Sequence, residues 1–107
     1  MRRGELYRAR RPGRVPKRSR VFLVVSRQAL VDSRFPTVVC APIHTQRHGL
    51  ATELPVGVDE GLKHDSSAYC DALVSLPKTA LTDYVGALPD ARLTDLARAL
   101  RVALAVE

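Results

Sequence analysis

Two uninterrupted apolar runs of strand length, VFLVV over residues 21–25 and TVVCAPI over residues 37–43, constrain this chain more than any other feature. A continuous run of that length, closed off by Arg20 and Ser26, is the pattern of a strand covered on both faces. The first run is therefore expected near the centre of a sheet. The second contains Pro42, which supplies no ladder donor, so regular pairing should stop or bulge there.

Shorter elements fall around these two. Residues 5–9 alternate about Leu6 and Tyr7 as a first strand, and RARRPGRVPKRSR reads as a loop because Pro12, Gly13 and Pro16 break regular structure. Ser26 is placed to cap a short helical turn over residues 28–32. The polar stretch HTQRHG, residues 44–49, reads as a loop at the end of the second run. Residues 51–56 suit an edge strand limited by Pro55, GVDEGLKHD a turn-rich connection, and residues 67–73 a further strand. A helical turn is expected over residues 76–83 and a short strand over 84–88. From Asp90 onward, Leu93, Leu96, Ala97, Leu100 and Leu104 recur at three-and-four spacing, the mark of an amphipathic helix, with Asp90 at its N-cap or first turn. The reading is a mainly β chain, one domain over residues 1–107, with about five to seven short strands and a C-terminal amphipathic helix.

Charge is distributed unevenly. The first 20 residues hold nine basic groups against Glu5 alone, whereas the remainder carries 8 basic and 10 acidic residues. A cationic N-terminal quarter on a slightly acidic body is the electrostatic footprint of a polyanion binder, with nucleic acid ahead of a membrane surface. No apolar run approaches the length of a bilayer span and no signal-like stretch follows the first charges, so the expected location is the cytoplasm. Cys40 and Cys70 lie inside apolar segments 30 positions apart and read as buried, reduced thiols.

Motifs for cofactors and metals are missing: no phosphate-binding glycine loop, no GxSxG elbow, and no third ligand beside His44 and His48. No cofactor or metal is expected. What remains is a cluster at segment ends, with Arg20 just before one apolar run and His44, Thr45 and Arg47 just after the other. Loop residues held by buried strands are well placed for function. A guanidinium grips a phosphate with its planar fork and stabilises the extra charge of a pentavalent phosphorane, and a histidine titrates near neutral pH. The bland alternative for each is a solvated loop residue.

Four segments in order, RRGELYRA, SRVFLVVS, TVVCAPIHT and GLKHDSSAYCDALVSLPKTALTDYVGALP, followed by the amphipathic helix, resemble the MazF/PemK-type toxins. These are sequence-selective mRNA endoribonucleases of bacterial toxin–antitoxin modules. The likeness spans nearly the whole chain, with SRVFLVVS standing where the family has an RPVLVVS-like segment and TVVCAPIHT where it has TVVVAPITS. The resemblance implies an SH3-like (CcdB/MazF-type) β-barrel, a homodimer, and single-stranded RNA bound in a groove walled by the loop after the first strand. It implies metal-independent cleavage, in which the ribose 2′-hydroxyl attacks the neighbouring phosphate to leave a 2′,3′-cyclic phosphate and a 5′-hydroxyl. It also implies a MazE-like antitoxin with an acidic tail.

Transferred residue by residue, the family's catalytic arginine falls on Arg20, although the proline that usually follows it is Val21 here. The catalytic threonine or serine falls on His44, with Thr45 next to it. Either Thr45 takes over by a one-residue shift or His44 acts as a proton-transfer group. Asp65 and Ser66 match the family's DS pair near substrate, with turn and strand-end hydrogen bonding as the alternative. RNA contacts are expected from Tyr7, Arg10, Arg11, Arg14, Lys17, Arg18, Arg47 and His48. Two other functions fit the same barrel, a non-catalytic nucleic-acid-binding module and a gyrase-poisoning toxin.

Overall fold

A computed structural model describes residues 1–10 and 19–107 of the chain. Among these, seven strands form one curled antiparallel sheet in the order β4-β5-β3-β2-β1-β7, with β6 pairing on β3 outside that path. The strands are β1 (Glu5–Arg10), β2 (Ser19–Val24), β3 (Thr37–His44), β4 (Glu53–Val56), β5 (Ser66–Tyr69), β6 (Val74–Pro77) and β7 (Asp83–Ala87). Two helices accompany them, α1 (Gln28–Asp32) and α2 (Leu93–Leu104). The result is a half-barrel with a C-terminal helix, in line with the expected fold. The loop read over residues 8–20 is shorter than expected, since cross-strand pairing draws Arg8–Arg10 into β1 and Ser19–Arg20 into β2, and its middle, with Arg11, Pro12, Gly13, Arg14, Pro16, Lys17 and Arg18, lies outside the described residues.

The two apolar runs are central and covered on both sides. Leu23, Ala41 and Ile43 belong to one buried cluster with Leu6, Leu54, Ala68 and the α2 residues Leu96 and Ala99. Phe22, Val24, Val38 and Cys40 face the other way, into a second cluster with Tyr7, Val31, Leu76 and Leu81. Alternation along a strand sends successive side chains to opposite faces, so an unbroken apolar run fills two cores at once. Cys40 and Cys70 are free and buried. Burial pushes the Cys40 thiol up to about 12, and burial with the nearby Asp71 charge pushes Cys70 up to about 11, so neither is a nucleophile.

Several local expectations shift. The stop expected at Pro42 is confined to β2: the β2–β3 register ends at Phe22↔Pro42, and beyond it Ile43 and His44 pair Ala68 and Ser67 of β5. Proline sits where β3 leaves one neighbour for another. The helical turn expected over 76–83 is instead β6 followed by a 3-10 turn confined to Lys78–Ala80. Leu76 is buried against β3, and the Thr37↔Pro77 to Cys40↔Val74 register draws the segment into the sheet. The strand expected over 67–73 ends at Tyr69, and residues 70–72 form a 3-10 turn. Ser26 does not cap α1, since its hydroxyl accepts the Val39 N–H at 2.8 Å and so ties the end of β2 to β3.

The terminal helix begins as a 3-10 turn over Asp90–Arg92 and continues as α2. Its buried residues are Leu96 and Ala99, with Leu93, Leu100 and Ala103 packed against them. Leu104, expected on that stripe, is exposed because the stripe drifts onto Ala103 at the helix end. Arg92 fastens the helix start: its Nη1 donates to the Pro55 carbonyl at 2.7 Å and lies 3.8 Å from the buried Glu60 carboxylate. Glu60 in turn accepts the Gly57 N–H at 2.7 Å.

Gly86 inside β7 answers a steric demand. A Cβ at Gly86 would lie 2.0 Å from the Glu60 carbonyl oxygen, and one at Gly61 would lie 2.3 Å from that of Val85. Two backbones touch here, and Gly61 also adopts φ +94, a left-handed conformation that side chains disfavour.

Candidate active site

Register places the site. Past the last β2–β3 pair, Phe22↔Pro42, Arg20 lies two residues along β2 and His44 two along β3, each on the strand face that sends Phe22 and Cys40 into the second apolar cluster. The side chains meet. Arg20 Nη1 lies 2.6 Å from His44 Nδ1 and 3.3 Å from Nε2. His44 therefore stands on the sheet, as the last residue of β3, rather than in a loop. Thr45 follows immediately past the strand end and is exposed.

A guanidinium can only donate, so the His44 nitrogen it meets must carry its lone pair. Nδ1 is the nearer atom, so a neutral ring with its proton on Nε2 satisfies the contact. Partial burial first, and the Arg20 charge second, hold the His44 pKa below its ordinary value. Both causes favour the neutral ring, the state in which it can accept a proton.

Aromatic rings complete the surroundings. Tyr69 on β5 lies 4.6 Å from the His44 ring, centroid to centroid, at an interplanar angle of 49°, and 6.0 Å from the His48 ring. Its hydroxyl donates to the Gln46 carbonyl, so one side chain fixes both the His44 ring and the loop behind it. Ser67, which pairs with His44, is 1% exposed, and its hydroxyl has no hydrogen-bond partner among the described residues. Neither Tyr69 nor Ser67 was singled out from sequence. Both come to His44 through the β3–β5 register, which no local pattern encodes.

The other expected residues divide. His48 is exposed and near Tyr69, with its backbone N–H donating to the Glu53 carboxylate. Arg47 turns back onto the protein, its Nε donating to the Ser66 carbonyl at 3.0 Å and Nη2 to that of Val56 at 3.1 Å, which clamps the end of the β4–β5 pair. Ser66 is buried, and its hydroxyl donates to the His64 carbonyl, the turn bonding read as its alternative. Asp65 is exposed and lines a cleft with Arg47, Gly57, Glu60 and Arg92. Tyr7 does not join Arg20. Its ring packs in the second core at 9% exposure, edge-on to Tyr84, and its hydroxyl donates to Glu5 at 2.8 Å. Burial and the Glu5 carboxylate push its phenol up to about 12. Arg10 closes β1 opposite Ser19.

A curled antiparallel sheet with a C-terminal helix is the fold of a class, the MazF toxins. The Mycobacterium tuberculosis toxin MazF-mt6 superposes with a TM-score of 0.83 at 28% identity, over 96% of this chain and 98% of that one. An endoribonuclease from a mycobacterial species, solved in complex with its cognate antitoxin, superposes at 0.82 with 25% identity, over 100% of this chain and 97% of that one. A family described as PemK-like, MazF-like toxin of type II toxin–antitoxin system matches residues 2–104, and the chain belongs to that family. In sequence it is 34% identical over 102 residues to the probable endoribonuclease MazF2 of Mycobacterium tuberculosis, covering 94% of this chain and 95% of that protein.

Proposed function

We propose that this protein is a toxin endoribonuclease that cleaves single-stranded RNA at the Arg20–His44 pair without a metal ion. The contact between Arg20 and His44 carries the reading, because it joins an anion-binding cation to a neutral proton acceptor. The arriving phosphodiester competes for the guanidinium and frees His44 Nδ1. Its negative charge also offsets the cation that forms when His44 takes a proton. His44 removes the proton from the ribose 2′-hydroxyl, and O2′ attacks the adjacent phosphorus. Arg20 holds the added charge of the phosphorane. The P–O5′ bond then breaks, O5′ takes a proton from solvent, and the products end in a 2′,3′-cyclic phosphate and a 5′-hydroxyl. Because the nucleophile is the 2′-hydroxyl, DNA is not a substrate.

Thr45, next to the pair and exposed, is the second candidate for holding the phosphate. The basic segment including Arg10, Arg11, Arg14, Lys17 and Arg18 supplies the attraction for the RNA backbone. By analogy with a mycobacterial relative solved with its cognate antitoxin, a MazE-like partner neutralises the protein, and the acidic tail of such a partner would be drawn to the same basic segment. A homodimer acting in the cytoplasm completes the proposal. The match to the PemK/MazF-like family favours the nuclease over the gyrase-poisoning alternative.

The test is incubation of purified protein with a long single-stranded RNA in the presence of chelator. Discrete fragments that disappear with Arg20→Ala support the proposal. RNA that is bound yet intact favours the non-catalytic binding module instead.

A further inference from the structure

His44, Tyr69 and His48 form a file of rings that starts at the Arg20 contact and leads out to the surface. Tyr69 is half-buried and His48 exposed. The bond from the Tyr69 hydroxyl to the Gln46 carbonyl anchors the ring at its far end and anchors the loop carrying His48 as well. Two ring faces therefore lead away from the Arg20–His44 contact, the nearer one tied down at its hydroxyl. In a single-stranded polynucleotide every phosphate has a base one sugar away, and unstacked bases are taken up on aromatic and histidine faces.

We propose that Tyr69 and His48 seat the nucleobase next to the phosphate bound by Arg20, and so contribute to which RNA sequences the protein selects. This rests on the RNA reading above. Arg47 is occupied by the Ser66 and Val56 carbonyls and Tyr7 lies in the core, so of these three expected RNA contacts His48 is the one in the file of rings that reaches Arg20 through Tyr69 and His44. The Tyr69 ring also touches His44, so a role as base seat must be separated from a role in positioning the histidine.

Binding of two short fluorescein-labelled oligonucleotides separates them. One is a 2′-O-methylated RNA, which cannot be cleaved; the other has the same backbone without bases. Wild-type protein is expected to bind the base-bearing strand about ten-fold more tightly than the base-free one, the scale of aromatic stacking. Tyr69→Leu should bring that ratio close to one, His48→Ala should lower it part-way, and Tyr69→Phe, which keeps the ring, should retain it. Circular dichroism checks that each variant is folded. If Tyr69→Leu weakens both strands by the same factor, or leaves the ratio as it was, the base seat is overturned. Should wild-type protein bind neither strand, the RNA reading falls and takes the base seat with it. A ratio that holds in a protein that cuts no RNA leaves the base seat standing and removes only the nuclease.

Discussion

Arg20 and His44 meet across the ends of β2 and β3 with Nη1 2.6 Å from Nδ1, so two side chains able to carry positive charge are held in contact at the mouth of the sheet. Such a pair is at ease only while the histidine is neutral or an anion lies between the two groups. Arg20 is exposed and lies outside both core clusters. Arg20→Ala is therefore expected to lower RNA cleavage by at least about 100-fold, as loss of a transition-state donor does. Its melting temperature should stay near wild type. Arg20→Lys should recover little, since an ammonium lacks the planar fork. Single-turnover rates and thermal melts check both points.

The pH dependence follows from the lowered His44 pKa. A base must be unprotonated, so kcat/KM should rise with pH through a midpoint below the ordinary histidine value of about 6.5 and then level off. Titration of the His44 ring by NMR should give that same midpoint in wild type and a higher one in Arg20→Gln. Because burial is the larger cause, the variant should still titrate below the ordinary value. For stability, the unfolded state binds the proton more readily than the folded one. His44 therefore costs the fold nothing above the unfolded pKa and destabilises it as pH falls through about 6.5 toward the folded pKa. His44→Gln should flatten that part of the stability curve.

Gly86→Ala tests the backbone contact between β7 and the turn ending at Glu60. With a Cβ directed to within 2.0 Å of the Glu60 carbonyl oxygen, one of the two segments must move. A loss of about 1–3 kcal/mol is expected. For a domain of this size each kcal/mol lowers the melting temperature by roughly 4–8 °C. Wild-type stability in the variant would show that the two segments separate without cost.

Leu96→Ala removes the one fully buried leucine of α2. A loss of about 2–5 kcal/mol in urea unfolding is expected. The Arg20–His44 pair belongs to the opposite face of the sheet, so the folded fraction of the variant should keep its His44 titration.

Legibility in the sequence followed how local each feature is. The VFLVV and TVVCAPI runs announce two-sided burial by themselves, and the helix from Asp90 follows from periodicity alone. Arg20 and His44 stood out as the residues flanking those runs, but their contact needs the β2–β3 register, which depends on residues some 24 positions apart. Strand β6 was missed because four residues ending in proline carry too short a period to read; pairing with Thr37–Cys40 decides it. Tyr69 was missed for a similar reason, since its neighbours His44 and His48 arrive from another strand and a loop. Tyr7 alternates correctly in sequence, yet its aromatic ring did not reveal whether it would face RNA or the core.

The most direct test of the central claim is mass analysis of the products from a short RNA, cut in chelator, beside the same strand carrying a 2′-deoxyribose at the cleaved nucleotide. The expected result is a 2′,3′-cyclic phosphate on one fragment, a 5′-hydroxyl on the other, and an uncut deoxy-substituted strand. Cleavage of the deoxy-substituted strand, or fragments with 5′-phosphate ends, would contradict the assignment of Arg20 and His44 to attack by the 2′-hydroxyl.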